Sequence, residues 1–124
     1  MILVDTSVWV DHLRAGVPAL SAALERGEVL THPYVLGELA CGNLTNRSVV
    51  LQLLGDLPAA PMATNDEALD FIERRALMGR GIGYLDVHLL ASVVLAGTVQ
   101  LWTRDKRLAA VADDLELAYA GEAG

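Results

Sequence analysis

Short runs rich in apolar residues, separated by stretches with helical spacing, dominate this chain. Residues 1–5 (MILVD) begin with an unbroken apolar run, and further short strands are predicted at 29–31, 99–102 and 115–119. A run without polar alternation is typical of a strand buried on both faces, as in a parallel sheet. The segment 57–62 contains two prolines, and it therefore predicts an extended connection or a weak edge strand.

The intervening stretches carry the signals of helix starts and ends. Pro18 and Pro33 fall in first turns, Gly27 falls at a C-cap, and Thr64 begins a clear apolar stripe. Because helices and strands alternate, the sequence predicts an α/β protein with a parallel sheet and right-handed crossovers. The predicted helices lie at 7–14, 17–26, 32–42, from 45 or 46 to near 55, from 64 onward, 85–96 and 105–113.

The helix at 85–96 is apolar on nearly all sides, so we expect it to be buried. The segment GRGIGYLD, whose last residue is Asp86, is rich in glycine. It does not match a dinucleotide-binding loop, because the glycine spacing differs and no strand precedes it.

Composition limits the class of protein. With 124 residues, of which 53% are hydrophobic, the chain is expected to form one domain over 1–124 with a real core. No apolar stretch is long enough to span a membrane and no basic leader is present, so no membrane partner is expected. A single cysteine, Cys41, excludes an internal disulfide and favours the cytoplasm.

The formal net charge of −7 argues against a protein that binds nucleic acid mainly through an overall positive charge. It does not argue against an enzyme whose acidic side chains hold metal ions, because bound cations reverse the sign of the local charge at the site.

Four acids are candidate site residues: Asp5, Glu38, Asp86 and Asp105. Each also has an ordinary explanation. Asp5 and Asp105 follow strands and are suited to cap the next helix, and Asp86 lies in a first turn, where the helix dipole favours a negative charge. Glu38 is a single charge among the apolar residues of its helix.

Taken together, the four acids are harder to explain as caps and surface charges. A parallel topology brings such positions toward one cleft at the carboxyl edge of the sheet. Carboxylates crowded in a cleft repel one another, and a divalent cation removes that conflict. Mg²⁺ and Mn²⁺ prefer oxygen ligands, and such a site can activate water and neutralise charge on a scissile phosphate.

Four stretches make the sequence resemble the PIN-domain nucleases and, among them, the VapC toxins of toxin–antitoxin pairs. They are MILVDTSVWVDHLR, HPYVLGELACGNL, GRGIGYLDVHLLASVVLAG and LWTRDKRL, and with their spacing they cover nearly the whole chain. The resemblance implies a three-layer α/β/α fold with a mainly parallel sheet. It also implies endonucleolytic cleavage of RNA (tRNA, rRNA or mRNA) that depends on Mg²⁺ or Mn²⁺.

The resemblance also assigns roles to residues and implies partners. The four acids become the catalytic set, with Asp5 and Asp86 as the leading metal ligands and Thr6, helped by Ser7, as the adjacent hydroxyl. A VapB-like antitoxin is expected to cover the cleft and to insert a basic side chain among the acids. A homodimer is also expected, although the short C-terminal segment leaves its contacts undefined.

Several alternatives stay open at this point. The chain is compatible with a DNA-cutting relative, with an RNA-processing nuclease that is not a toxin, and with a Mg²⁺-dependent receiver-like binding module. A phosphatase with an Asp5 nucleophile is disfavoured, because such enzymes carry a second acid where Ser7 stands.

The remaining polar and aromatic residues divide into two groups. Arg104, Lys106 and Arg107 flank Asp105 and are candidates for contacts with RNA phosphates, beside the simpler interpretation as solvated cations. The other group is predicted to have structural roles. Surface or hydrogen-bonded core positions are expected for His12, His32 and His88. Core or interface positions are expected for Trp9 and Trp102.

Overall fold

A computed structural model describes residues 1–121 of the chain. Its elements follow the predicted alternation of strands and helices. In chain order they are β1 (Ile2–Val4), α1 (Thr6–Ala15), α2 (Pro18–Glu25), β2 (Val29–Leu30), α3 (Pro33–Ala40), α4 (Arg47–Gly55), α5 (Asn65–Arg75), α6 (Tyr84–Ala96), β3 (Gln100–Trp102) and α7 (Lys106–Asp114).

The sheet is parallel throughout, with the strand order β2-β1-β3. Single parallel bridges, Thr31 to Ala59 and Leu101 to Ala118, extend it on both sides. With helices packed around it, the sheet forms the middle layer of a three-layer α/β/α fold, and this confirms the predicted fold class. Since β1 lies at the centre, its carboxyl end is the middle of the ligand-binding edge typical of such sheets.

The predicted strand at 115–119 forms only the single bridge at Ala118. Glu116 adopts a positive φ of 60°, which interrupts the extended conformation a strand requires. Hydrogen bonds from Leu101 N–H to the Leu117 carbonyl and from Tyr119 N–H to the Leu101 carbonyl still attach this segment to β3. The segment 57–62 likewise contributes one bridge, as its prolines suggested.

The core confirms the prediction for α6, in which seven consecutive residues, Val87 to Val93, are buried. This helix packs on β3 and α5, while α3 packs on α1 and α4. By contrast, only Val35 and Leu39 of α3 are buried. Among residues 1–121, no helix is long and apolar enough to cross a membrane.

Candidate active site

Asp5 lies directly after β1 and is buried, with 5% of its surface exposed. It occupies the N-cap position of α1, but its side chain bonds no helix N–H, so it does not act as a cap. Instead its Oδ2 accepts hydrogen bonds from Ser7 Oγ at 2.8 Å and from Thr103 Oγ1 at 2.7 Å. Two hydroxyls from opposite ends of the sequence therefore fix the orientation of this carboxylate.

Glu38 lies on the exposed side of α3. Its Oε1 accepts a hydrogen bond of 2.9 Å from Thr6 Oγ1, the residue that follows Asp5. This bond joins the first turn of α1 to α3. It brings the second predicted acid to the same edge of the sheet as the first.

Asp86 is half-buried in the first turn of α6, where its Oδ2 accepts a 3.2 Å hydrogen bond from the N-cap Gly83 N–H. Burial raises the pKa of the Asp86 carboxyl, and the Gly83 hydrogen bond acts in the opposite direction. The negative charges of the other three acids raise this pKa further. Electrostatically, then, the four acids form one cluster.

Asp105 caps α7, with its Oδ1 accepting from the N–H groups of Arg107 and Leu108 at 3.0 Å each. Its own N–H donates to Thr103 Oγ1 at 3.1 Å, and Thr103 in turn donates to Asp5. The cap predicted for Asp105 is therefore present, and one hydroxyl connects it to the carboxylate at the centre of the sheet.

The four carboxylates share one arrangement. Each accepts its hydrogen bonds on a single oxygen, and the second oxygen accepts none from any residue in 1–121. None of the four forms a salt bridge within that part of the chain. The set therefore presents fixed, unpaired carboxylate oxygens.

This donor set suits a hard divalent cation. Within residues 1–121, no three His, Cys, Asp or Glu side chains converge closely enough to ligate one metal ion together. Mg²⁺ needs no such group, since it is usually bound by one or two carboxylates and completes its octahedron with water. The oxygen donors present are therefore chemically compatible with such a cation.

Thr103 is a site residue that the sequence analysis missed. It bonds Asp5, approaches Ser7 Oγ at 3.3 Å and accepts from the N–H of Asp105. Its signal is present in the stretch LWTRD, in which a hydroxyl follows a buried strand just as Thr6 and Ser7 follow β1.

The basic residues near Asp105 have different surroundings. Arg104 pairs with Asp11 at 2.9 Å, and Lys106 is exposed. Arg107 lies against the glycine-rich loop, where a Cβ on Gly81 would stand 2.8 Å from Arg107 Cδ. Gly81 also has a φ of +80°, so two constraints favour glycine at this position.

A groove of about 600 Å³ begins at Thr6 and Glu38 and runs between α1, α3 and the start of α4. Its wall on α1 contains Val10 and Leu13, which are 38% and 39% exposed, together with Arg14. A groove with both apolar and polar lining residues therefore ends at Glu38, the one acid of the cluster that lines it.

Both tryptophans occupy the core, one of the two positions predicted for them. Trp9 and Trp102 are each only 2% exposed. His12 Nδ1 accepts from Val17 N–H. His88 is buried, but its Nδ1 has no hydrogen-bond partner among residues 1–121, so the prediction of a hydrogen-bonded histidine is wrong for this atom.

Comparison with known proteins identifies the family. The family model described as PIN domain matches residues 2–114. The protein named Ribonuclease VapC32 from Mycobacterium tuberculosis, in strains CDC 1551 / Oshkosh and ATCC 25618 / H37Rv, is 50% identical over 122 residues. That alignment covers 98% of this chain and 98% of each relative. The chain therefore belongs to the PIN-domain family and, within it, to the VapC ribonucleases.

Proposed function

We propose that this protein, a single PIN domain over residues 1–124, is the toxin of a cytoplasmic toxin–antitoxin pair. Its activity is endonucleolytic cleavage of RNA (tRNA, rRNA or mRNA), dependent on Mg²⁺ or Mn²⁺. The observation that carries the proposal is the arrangement of the four carboxylates. Each is anchored through one oxygen, each leaves the other unpaired, and no cationic side chain within residues 1–121 pairs with them.

Asp5 and Asp86 would hold the cation directly, because they are the two least exposed acids of the cluster. Asp105 and Glu38 would complete the pocket, directly or through water. When bound, a divalent cation neutralises charge on the phosphate and lowers the pKa of nearby water. Thr6, Ser7 and Thr103 hold the carboxylates in place, so that little reorganisation accompanies the reaction.

RNA would approach along the basic rim formed by Arg104, Lys106 and Arg107. Arg104 is paired with Asp11, whereas Lys106 and Arg107 form no salt bridge within residues 1–121, so their charges are available to a phosphate. Contacts of this kind position the phosphate backbone without reading the bases. The rim supports a nucleic-acid substrate, whereas a receiver-like module has no need of it.

A VapB-like antitoxin is the proposed partner. The groove lined by Val10, Leu13 and Leu44 would take an apolar segment, and a basic side chain at the segment's end would reach the acids near Glu38. A homodimer also belongs to the proposal.

The test uses the purified protein with labelled tRNA, rRNA and single-stranded DNA. Cleavage of RNA should need Mg²⁺ or Mn²⁺, stop with EDTA and return when the metal is restored. Asp5→Asn should abolish it, whereas Asp70→Asn, an exposed acid on α5 paired with Arg74, should not. Metal-dependent cutting of DNA alone would favour the DNA-nuclease alternative, and RNA cutting that Asp5→Asn retains would contradict the assigned site.

A further inference from the structure

His32 is a fully buried histidine that connects two helices of the site. Its Nδ1 accepts a 3.0 Å hydrogen bond from Tyr34 N–H, which makes it the side-chain cap of α3. Its Nε2 lies 3.0 Å from Oγ of Ser92, which is also fully buried on α6. A backbone N–H can only donate, so Nδ1 is unprotonated, and Nε2–H therefore donates to Ser92.

The two connected helices each carry an acid of the cluster. Glu38 is on α3 and Asp86 is on α6. The hydrogen bond between His32 and Ser92 therefore forms a joint between the start of the helix that carries Glu38 and the middle of the helix that carries Asp86.

An aromatic cluster reinforces the same joint. The His88 ring, on α6, lies edge-on to Tyr34 at 4.9 Å and to Tyr84 at 4.6 Å between centroids. Tyr34 also contacts His32 at 5.2 Å. These rings pack α3 against the first two turns of α6. The hydrogen bond to Ser92 adds a directional contact to this ring packing.

The histidine stays neutral at ordinary pH. Burial lowers its pKa to about 4, and repulsion from His88 contributes to the shift. The ring therefore keeps one donor and one acceptor near neutral pH, where both hydrogen bonds persist.

We propose that His32 is a positioning residue that acts through Ser92 to set the separation of Glu38 and Asp86. The inference rests on the metal centre of the proposed function and goes beyond it. It assigns part of the cation affinity to a buried bond outside the acid cluster.

Two substitutions remove the joint in different ways. Ser92→Ala deletes the acceptor while leaving the cap of α3 intact, and alanine favours a helix. His32→Asn keeps an oxygen that can cap α3, since asparagine is a good N-cap residue, but its shorter side chain does not reach Ser92. Thr64→Ala is the matched control, because it removes the capping box of α5, a helix that carries none of the four acids.

The measurement is the affinity for Mn²⁺ by calorimetry, with thermal unfolding of the metal-free protein beside it. Substitutions that disturb the support of metal ligands typically weaken binding 10- to 100-fold. We expect Ser92→Ala and His32→Asn each to weaken Mn²⁺ binding by about tenfold, the lower end of that range. The double variant should be little weaker than either single variant, because both remove the same joint. Half-saturating Mn²⁺ for RNA cleavage should rise in parallel, while the rate at saturating Mn²⁺ is largely kept.

The outcomes separate a positioning role from mere stability. If Ser92→Ala and His32→Asn destabilise the fold as much as Thr64→Ala does, yet bind Mn²⁺ like the wild type, the inference is wrong. A wild-type protein that binds no Mn²⁺ overturns both the metal centre and this inference. A wild type that binds Mn²⁺ but cuts no RNA overturns only the proposed reaction, and the affinities of the variants still decide the role of His32.

Discussion

Thr103 donates a 2.7 Å hydrogen bond to Asp5 across 98 positions of sequence, and it ties the carboxyl ends of β1 and β3 together. The same hydroxyl accepts from Asp105 N–H. One small side chain thus orients the buried acid of β1 and places the acid that begins α7. The geometry of the cluster depends on its hydroxyls as well as on its carboxylates.

Thr103→Val tests this relationship, because valine keeps the shape of threonine and removes the hydroxyl. A hydrogen bond to a charged group contributes roughly 1.5–3 kcal/mol, so we expect RNA cleavage to fall by at least about tenfold. Single-turnover cleavage at a fixed Mg²⁺ concentration measures the effect. The control is Thr98→Val, at an exposed position outside the site. Equal cleavage rates for the two variants would mean that the hydrogen bond from the Thr103 hydroxyl to Asp5 is not needed for RNA cleavage.

Asp86→Asn should change how the stability of the metal-free protein depends on pH. The raised pKa of Asp86 means that the folded protein keeps this proton to a higher pH than the unfolded chain does. The stability due to this group is complete below the unfolded-state pKa and is lost as the pH rises through the raised folded-state pKa. The variant carries no such proton, so it should lose less stability over that interval.

Thermal unfolding in EDTA from about pH 4 to about pH 8 measures that difference. Asp113→Asn, at an exposed carboxyl near the end of α7, is the control and should follow the wild type. Added Mg²⁺ should stabilise the wild type at neutral pH and have little effect on Asp86→Asn. Parallel curves for wild type and Asp86→Asn would show that Asp86 has an ordinary pKa in the folded protein.

Gly81→Ala should weaken RNA binding by displacing Arg107. The new Cβ would stand within about 3 Å of the Arg107 side chain, which would have to move. Gly79→Ala is a closely matched control, because Gly79 has a similar φ of +72° with nothing within 4 Å of the added atom. Both variants should lose roughly 1 kcal/mol of stability from the strained backbone.

Only Gly81→Ala should also raise the KM for RNA, and Arg107→Ala should do the same. Steady-state kinetics on one RNA substrate measures this difference. If Gly79→Ala and Gly81→Ala have the same KM, Arg107 makes no useful contact with the substrate.

Leu13→Ser should weaken capture of the antitoxin, because it removes an apolar contact from the groove beside Glu38. Burying a leucine side chain contributes about 1.5–3 kcal/mol, which corresponds to a loss of about tenfold or more in affinity. Calorimetric titration with the cognate VapB-like antitoxin measures the loss of affinity. Leu69→Ser, at a 49% exposed leucine on α5, serves as the control. Equal affinities for the two variants would place the antitoxin elsewhere on the surface.

The sequence predicted those features of the fold and the site that depend on a few neighbouring residues. A buried strand followed by Asp5, and another followed by Asp105, predicted both the sheet edge and the acids gathered there. The apolar character of α6 predicted its burial. These features depend on runs of a few residues, and no distant contact is needed to recognise them.

Long-range contacts account for what the sequence could not predict. Whether Asp5 caps a helix depends on Ser7 and Thr103, and Thr103 enters the site only because β3 pairs with β1. The apolar stretch at 115–119 favoured a strand, but the left-handed conformation of Glu116 limits it to one bridge. Likewise, no local pattern shows that His32 meets Ser92, because the two are 60 positions apart.

The position of a bound cation tests the proposed metal site most directly. Anomalous diffraction from crystals of the protein soaked in Mn²⁺ locates the ion without reference to activity. We expect one strong peak at coordination distance from Asp5 Oδ1 and Asp86 Oδ1, the oxygens that accept no hydrogen bond within residues 1–121. If the crystals bind Mn²⁺ elsewhere but show no such peak at the four acids, the proposed metal site is wrong.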